Sequence, residues 1–154
     1  MSEQHVRPLV AERSIVPMTY DIDIEDHVNN IVYVRWLEDL RMTWLDRYFP
    51  MKLMLDKGFA PALLETNIRY LRAIHLFEKV TGLVWVGKVG PVRSRLEFEF
   101  VVDGQTAAEA YQNLVWIAVK TGKPTRTPKK LLRLWKTEQE QQIRDVRGPA
   151  DDVT

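Results

Sequence analysis

The chain of 154 residues contains no cysteine, which excludes disulfides, cysteine-ligated zinc and a thiol nucleophile. Histidine is scarce: His5, His27 and His75 lack ligand spacing, so the expectation is no metal site. Ser94 is the only serine in the body of the chain besides Ser14, and neither sits in a G-x-S-x-G elbow, which argues against a serine hydrolase. There is no glycine-rich phosphate loop or dinucleotide fingerprint. Neither sign of charge dominates, with 22 Lys plus Arg against 21 Asp plus Glu. The resulting net charge of +1 gives no whole-surface attraction for nucleic acid. No stretch approaches the roughly 18 apolar residues of a membrane span, and MSEQHVRPLVAERS lacks the basic-then-apolar order of a signal peptide. The expectation is a soluble cytoplasmic protein with no nucleic-acid or membrane partner.

What the chain does have is one dense stretch, YDIDIEDHVNN at 20–30, with the acids Asp21, Asp23, Glu25 and Asp26, then His27, Asn29 and Asn30. A long apolar run follows at once. Tyr33, Trp36, Leu37, Leu40, Trp44, Leu45 and Tyr48 recur at steps of three and four, which predicts a helix from about residue 29 to residue 48, stopped by Pro50. Upstream, RSIVPMTYDID reads as a strand ending near Asp23, with Pro17 marking an edge position or a bulge. Residues 51–61 allow a short helix broken at Gly58. Segments 63–72, 79–89, 92–102 and 106–119 then switch to period two, and Asp103-Gly104 is a hairpin signal. In RSRLEFEF the alternation of Leu96, Phe98 and Phe100 with Arg95, Glu97 and Glu99 gives one buried and one wet face. A surface helix is expected over 129–145. Residues 1–11 read as a flexible N-terminus, 12–135 as the domain, and 136–154 as a helical extension with a disordered tail. One apolar helix and a run of meandering strands must bury their faces together, so the fold class is α+β, a sheet wrapped around the helix.

The acids sit where strand meets helix. A helix start presents unpaired N–H groups and a partial positive charge, suited to an oxygen that becomes negative during reaction. A carboxylate beside such donors can activate water or attack a carbonyl. A lone Asp or Asn there is usually an N-cap worth about 1 kcal/mol, but capping does not require four acids. Tyr33 and Trp36 read equally as core and as the floor of an apolar pocket, and His75 as a turn or surface residue.

The run Asp21-Ile22-Asp23, three residues, His27-Val28-Asn29-Asn30, two residues, Tyr33, two residues, Trp36 resembles the signature of hotdog-fold acyl-CoA thioesterases of the 4-hydroxybenzoyl-CoA thioesterase type. It is also similar to the motif of plant-type acyl-ACP thioesterases. The resemblance extends over about 12–135 and includes Arg69 to Arg72, Gly90 to Ser94, Asp103-Gly104 and TGKPTRTP. It implies a five-stranded antiparallel sheet around one long helix, and a homodimer or a tetramer built as a dimer of dimers, with active sites at the subunit interface. It implies hydrolysis of acyl-CoA, with Asp23 as general base or nucleophile, the backbone N–H near Asn30 polarising the thioester carbonyl, and His27 orienting Asp23 or assisting proton transfer. No metal or redox cofactor is required by such chemistry. Substrate contacts would come from Tyr33 and Trp36 for the acyl group and from Arg72, Arg93 and Ser94 for coenzyme A. Weighed beside this are an acyl-ACP thioesterase and a non-catalytic module that binds acyl thioesters. Two positions depart from the pattern: Asp26 stands where many relatives have Gly, and Glu25 where plant-type enzymes have a catalytic Asn. Asp tolerates a left-handed backbone, and both acids would add negative charge near Asp23.

Overall fold

A computed structural model describes residues 6–147. The order of elements is β1 (Ala11–Ile15), α1 (Asn30–Tyr48), α2 (Met51–Asp56), β2 (Phe59–Tyr70), β3 (Val80–Val89), β4 (Arg93–Val102), β5 (Gln105–Ala118) and α3 (Lys129–Arg147), with a short 3₁₀ turn at Thr19–Asp21. The five strands form one sheet in the order β1-β3-β4-β5-β2, every neighbour antiparallel. The sheet curls around α1, as α+β packing of one amphipathic helix demands.

α1 begins where Asn29, in extended conformation, accepts the Ile31 N–H on its side-chain oxygen at 3.0 Å. It ends at Tyr48, because Pro50 has no N–H to continue the ladder. Its buried face carries Val32, Tyr33, Trp36, Leu37, Leu40, Trp44 and Leu45. Each such side chain contributes about 1.5–3 kcal/mol of burial, before the entropy of ordering is subtracted. From the sheet, Val84, Val86, Leu96, Phe98, Phe100 and Trp116 meet that face. At Gly82 of β3 the helix side chains pack against the bare backbone: a Cβ there would lie 2.9 Å from the Leu40 side chain.

The strand alternation in β4 is as the sequence implies, with Leu96, Phe98 and Phe100 buried and Arg95, Glu97 and Glu99 on the outer face. Asp103 and Gly104 join β4 to β5 with φ of 50° and 72°, the two left-handed residues that a tight hairpin turn requires. One edge of the sheet is the short β1; the other is β2, twelve residues long. A bulge between Leu63 and Glu65 leaves Leu64 without a cross-strand partner.

Two expectations change. The first strand stops at Ile15 and not near Asp23, since Pro17 cannot donate to a ladder and the residue before it is steered away from regular pairing. Pro17 itself lies two residues beyond the strand. Residues 7–11, expected to be loose, are held: Leu9 is fully buried, its carbonyl accepts the Trp44 indole N–H, and the Pro8 carbonyl accepts the Val86 N–H. The helix expected over 129–145 forms as α3, Lys129–Arg147. Leu131 is buried, and the Trp135 indole donates to the Val86 carbonyl at 3.0 Å, a group on the β3 edge beyond Val84, where the pairing with β1 ends. Glu138 accepts the Leu9 N–H and Gln142 pairs with the Arg7 backbone. α3 thus covers the stretch of β3 that β1 is too short to reach. The expectations for residues 1–5 and for the tail 148–154 lie outside the described residues. None of the helices is long and apolar enough to cross a membrane, among the described residues.

Candidate active site

Between the 3₁₀ turn and α1 the chain makes a narrow loop, closed by an isolated bridge between Ile22 and Val28 and by the Asp23 N–H donating to the His27 carbonyl at 3.0 Å. The tip turns at Asp26, whose φ of 65° is left-handed. Asp fills this place without glycine because its short polar side chain tolerates that conformation.

The loop sets its acids in different surroundings. Asp21 is 4% exposed. One of its oxygens accepts the Met18 N–H at 2.8 Å, the other faces Arg35 at 3.5 Å, and its carbonyl accepts the Asn29 N–H. Asp21 therefore ties the loop to the helix. Asp23 faces outward: one oxygen accepts the Glu25 N–H at 2.9 Å, and the second has no hydrogen bond among the described residues. Glu25 is exposed, and its carboxylate lies 3.3 Å from the His27 Nε2. The His27 side chain pairs with Glu25 and makes no hydrogen bond to the Asp23 carboxylate among the described residues.

At the helix start Asn29 covers the Ile31 N–H with its side chain and the Val32 N–H with its carbonyl. The Asn30 N–H is left without an acceptor among the described residues. The Asn30 carbonyl accepts the Tyr70 hydroxyl at 3.0 Å, and the Tyr70 ring meets Tyr33 edge-on at 5.0 Å between centroids. A carboxylate oxygen and a helix N–H are thus both unspent at one end of α1, the pairing needed to activate a nucleophile and steady an oxyanion.

The loop 71–79 braces this arrangement. The Ile74 carbonyl accepts the Val28 N–H at 2.8 Å, and the His75 Nδ1 lies 3.1 Å from the Asp26 carbonyl. The His75 ring stands edge-on to that of His27 at 6.1 Å. Sequence reasoning set His75 aside as a turn residue, which it is; nothing in its spacing signals the contact with His27. Tyr70 was visible only as part of the Arg69 to Arg72 segment.

The other expected site residues fall into two groups. Tyr33 and Trp36 are 2% and 5% exposed and pack on Phe100, so within one chain they are core. Burial pushes the Tyr33 hydroxyl up to about 12. Arg72 spends its guanidinium on the Val102 carbonyl and on Glu78, pinning the 71–79 loop. Ser94 is buried, its Oγ accepting the Trp116 indole N–H at 3.1 Å. Arg93, at the start of β4, is exposed and without an acidic partner among the described residues.

The profile of the thioesterase-like superfamily matches residues 17–134, from just after β1 to the first turns of α3. The chain belongs to that superfamily. It is a thioesterase, a hydrolase of the hotdog fold. This thioesterase is 30% identical over 108 residues to the long-chain acyl-CoA thioesterase FadM of Escherichia coli K12, covering 68% of this chain and 80% of that protein. Among solved structures it is similar to the probable thioesterase YbaW of Escherichia coli, with 26% identity, a TM-score of 0.73, and coverage of 83% and 96% of the two chains. It is similar also to a thioesterase of Thermus thermophilus complexed with coenzyme A and Zn, with 25% identity, a TM-score of 0.73, and coverage of 86% and 96%.

Proposed function

We propose that this thioesterase hydrolyses acyl-CoA, with Asp23 as general base and the Asn30 N–H as oxyanion donor. The observation that carries the reading is the unspent Asp23 oxygen at the same helix end as the unspent Asn30 N–H. The name of its relative, a long-chain acyl-CoA thioesterase, makes long-chain esters the first substrates to test. In the reaction Asp23 takes a proton from water as its oxygen adds to the thioester carbonyl. The carbonyl oxygen gains negative charge against the Asn30 N–H. When the C–S bond breaks, the pair leaves on sulfur as thiolate, a good leaving group, and the products are the free acid and coenzyme A. His27 passes the proton from Asp23 to solvent. A positioned base contributes about 10²–10⁴ in rate, and one oxyanion donor roughly 3–4 kcal/mol.

The acyl group needs a wall that one chain lacks, since Tyr33 and Trp36 are packed in the core. Around the site Tyr20, Ile24, Ile31 and Phe77 are exposed, and the outer edge of twelve-residue β2 is unpaired among the described residues, its last residue Tyr70 reaching the site through the Asn30 carbonyl. Isolated chains seldom leave such an edge and such apolar side chains in water. A second copy paired through this region, as a homodimer or a dimer of dimers, closes the acyl pocket, and exposed Arg93 offers a phosphate contact for coenzyme A.

The test is steady-state hydrolysis of acyl-CoA esters of graded chain length by wild type and Asp23→Asn, followed by thiol release, with acyl-ACP as a parallel substrate. Loss of at least about a hundredfold in kcat with the fold retained is the expected result. Wild-type rates in Asp23→Asn end the assignment, and preference for acyl-ACP corrects the carrier. Sedimentation velocity reads the assembly directly.

A further inference from the structure

Asp23, Glu25 and His27 each offer a ligand atom, and these atoms all lie within 4.8 Å of one another. We propose that the three form a site for a divalent cation of the zinc class, and that filling it removes Asp23 from catalysis. The inhibitory consequence rests on the reading of Asp23 above; the site itself does not.

Ligand atoms around a tetrahedral zinc at about 2.0–2.2 Å sit roughly 3.3–3.6 Å apart. The His27 Nε2 and the Glu25 carboxylate are already 3.3 Å apart. No pair of the three ligand atoms is more than 4.8 Å apart, and Glu25 is exposed and long, so its side chain is free to adjust around an ion. The Glu25 N–H fixes one Asp23 oxygen and leaves the other for a ligand bond. Residues 23 and 27 face each other across the bridged stems of the loop, with 25 between them. His75, anchored on the Asp26 carbonyl and edge-on to His27, limits how far the His27 ring can swing.

Charge argues the same way. Asp23, Glu25 and Asp26 put three carboxylates in four residues, and no Lys or Arg forms an ion pair with any of them among the described residues. A cation is the missing complement. The imidazole nitrogen decides its class, because Mg²⁺ and Ca²⁺ favour all-oxygen sites whereas zinc and its neighbours take mixed nitrogen and oxygen donors. With three protein ligands, the fourth position of such an ion stays open to water.

The experiment is calorimetric titration of the full chain with ZnCl₂ and, separately, MgCl₂, for wild type, Glu25→Gln and His27→Gln, with the visible spectrum of the Co²⁺ form as a second readout. The expected result is one Zn²⁺ per chain, no comparable Mg²⁺ binding, and at least about a tenfold weaker Zn²⁺ affinity in each variant, the loss that even an outer-shell partner brings. Zinc should inhibit thioester hydrolysis, with the inhibition shifted to higher concentration in Glu25→Gln by the same factor. Absence of stoichiometric Zn²⁺ binding overturns the proposal, as does wild-type affinity in both variants. Binding that follows the variants without inhibition upholds the site and counts instead against Asp23 as the catalytic group.

Discussion

Replacing Ser94 by alanine separates a substrate contact from a packing role. Its hydroxyl is the acceptor for the Trp116 indole N–H at 3.1 Å, and the two residues are 5% and 1% exposed. Ser94→Ala leaves that N–H buried without an acceptor, which costs about 1–3 kcal/mol. Beside the pair lies a void of about 10 Å³, lined by Trp44, Leu96, Leu114 and Leu131 among others. That is near the smallest volume a water can occupy. Removing the hydroxyl enlarges it, so a water can take over the bond and bring the loss toward the lower figure. Urea unfolding should show the midpoint falling with an unchanged slope, and Tm should fall by about 2–4 °C for each kcal/mol lost in a chain of this size. The KM for acyl-CoA should stay at its wild-type value, since the hydroxyl points into the core. A stability loss below about 0.5 kcal/mol together with a raised KM refutes the reasoning and returns Ser94 to the coenzyme A site.

The arginines should divide in the opposite way. Arg93→Ala is expected to raise KM for acyl-CoA, more so at low salt, with little change in stability, because the side chain is exposed and supplies only screened charge. Arg72→Ala should lower stability, as it strips Glu78 and the Val102 carbonyl of their donor, and urea unfolding distinguishes the two. Tyr33 has a folded-state pKa of about 12 against an ordinary 10.0, so the unfolded chain ionises first as pH rises. Its contribution to stability is whole below pH 10.0 and is lost between 10.0 and about 12. Tyr33→Phe should flatten that part of the stability profile, and an unaltered slope would refute the assignment. Gly82→Ala puts a Cβ 2.9 Å from Leu40 and 3.1 Å from Ile15, two buried side chains, and should cost about 1–3 kcal/mol by calorimetry. A neutral result would mean that the helix moves away from β3 at no cost.

The sequence by itself determined the architecture and the place of the chemistry. Apolar residues at helical spacing from Tyr33 to Tyr48 and the period-two run from Leu96 to Phe100 admit one arrangement, because each must bury one face and the other elements supply the only complement. The motif from Asp21 to Trp36 was equally legible, since a loop acid, a capping Asn and a helix start are local features and keep their spacing in the fold. Only the tertiary structure decided which acid is spent. Asp21 and Asp23 are two residues apart and read alike, yet a 3₁₀ turn buries the first against Met18 and Arg35 and leaves the second facing outward. It likewise turned Ser94 inward and gave Arg72 to Glu78, and it set His75 beside His27 across 48 residues of chain. Residue type states what a side chain can donate or accept. Which partner it meets depends on how distant segments pack, and no spacing along the chain records that.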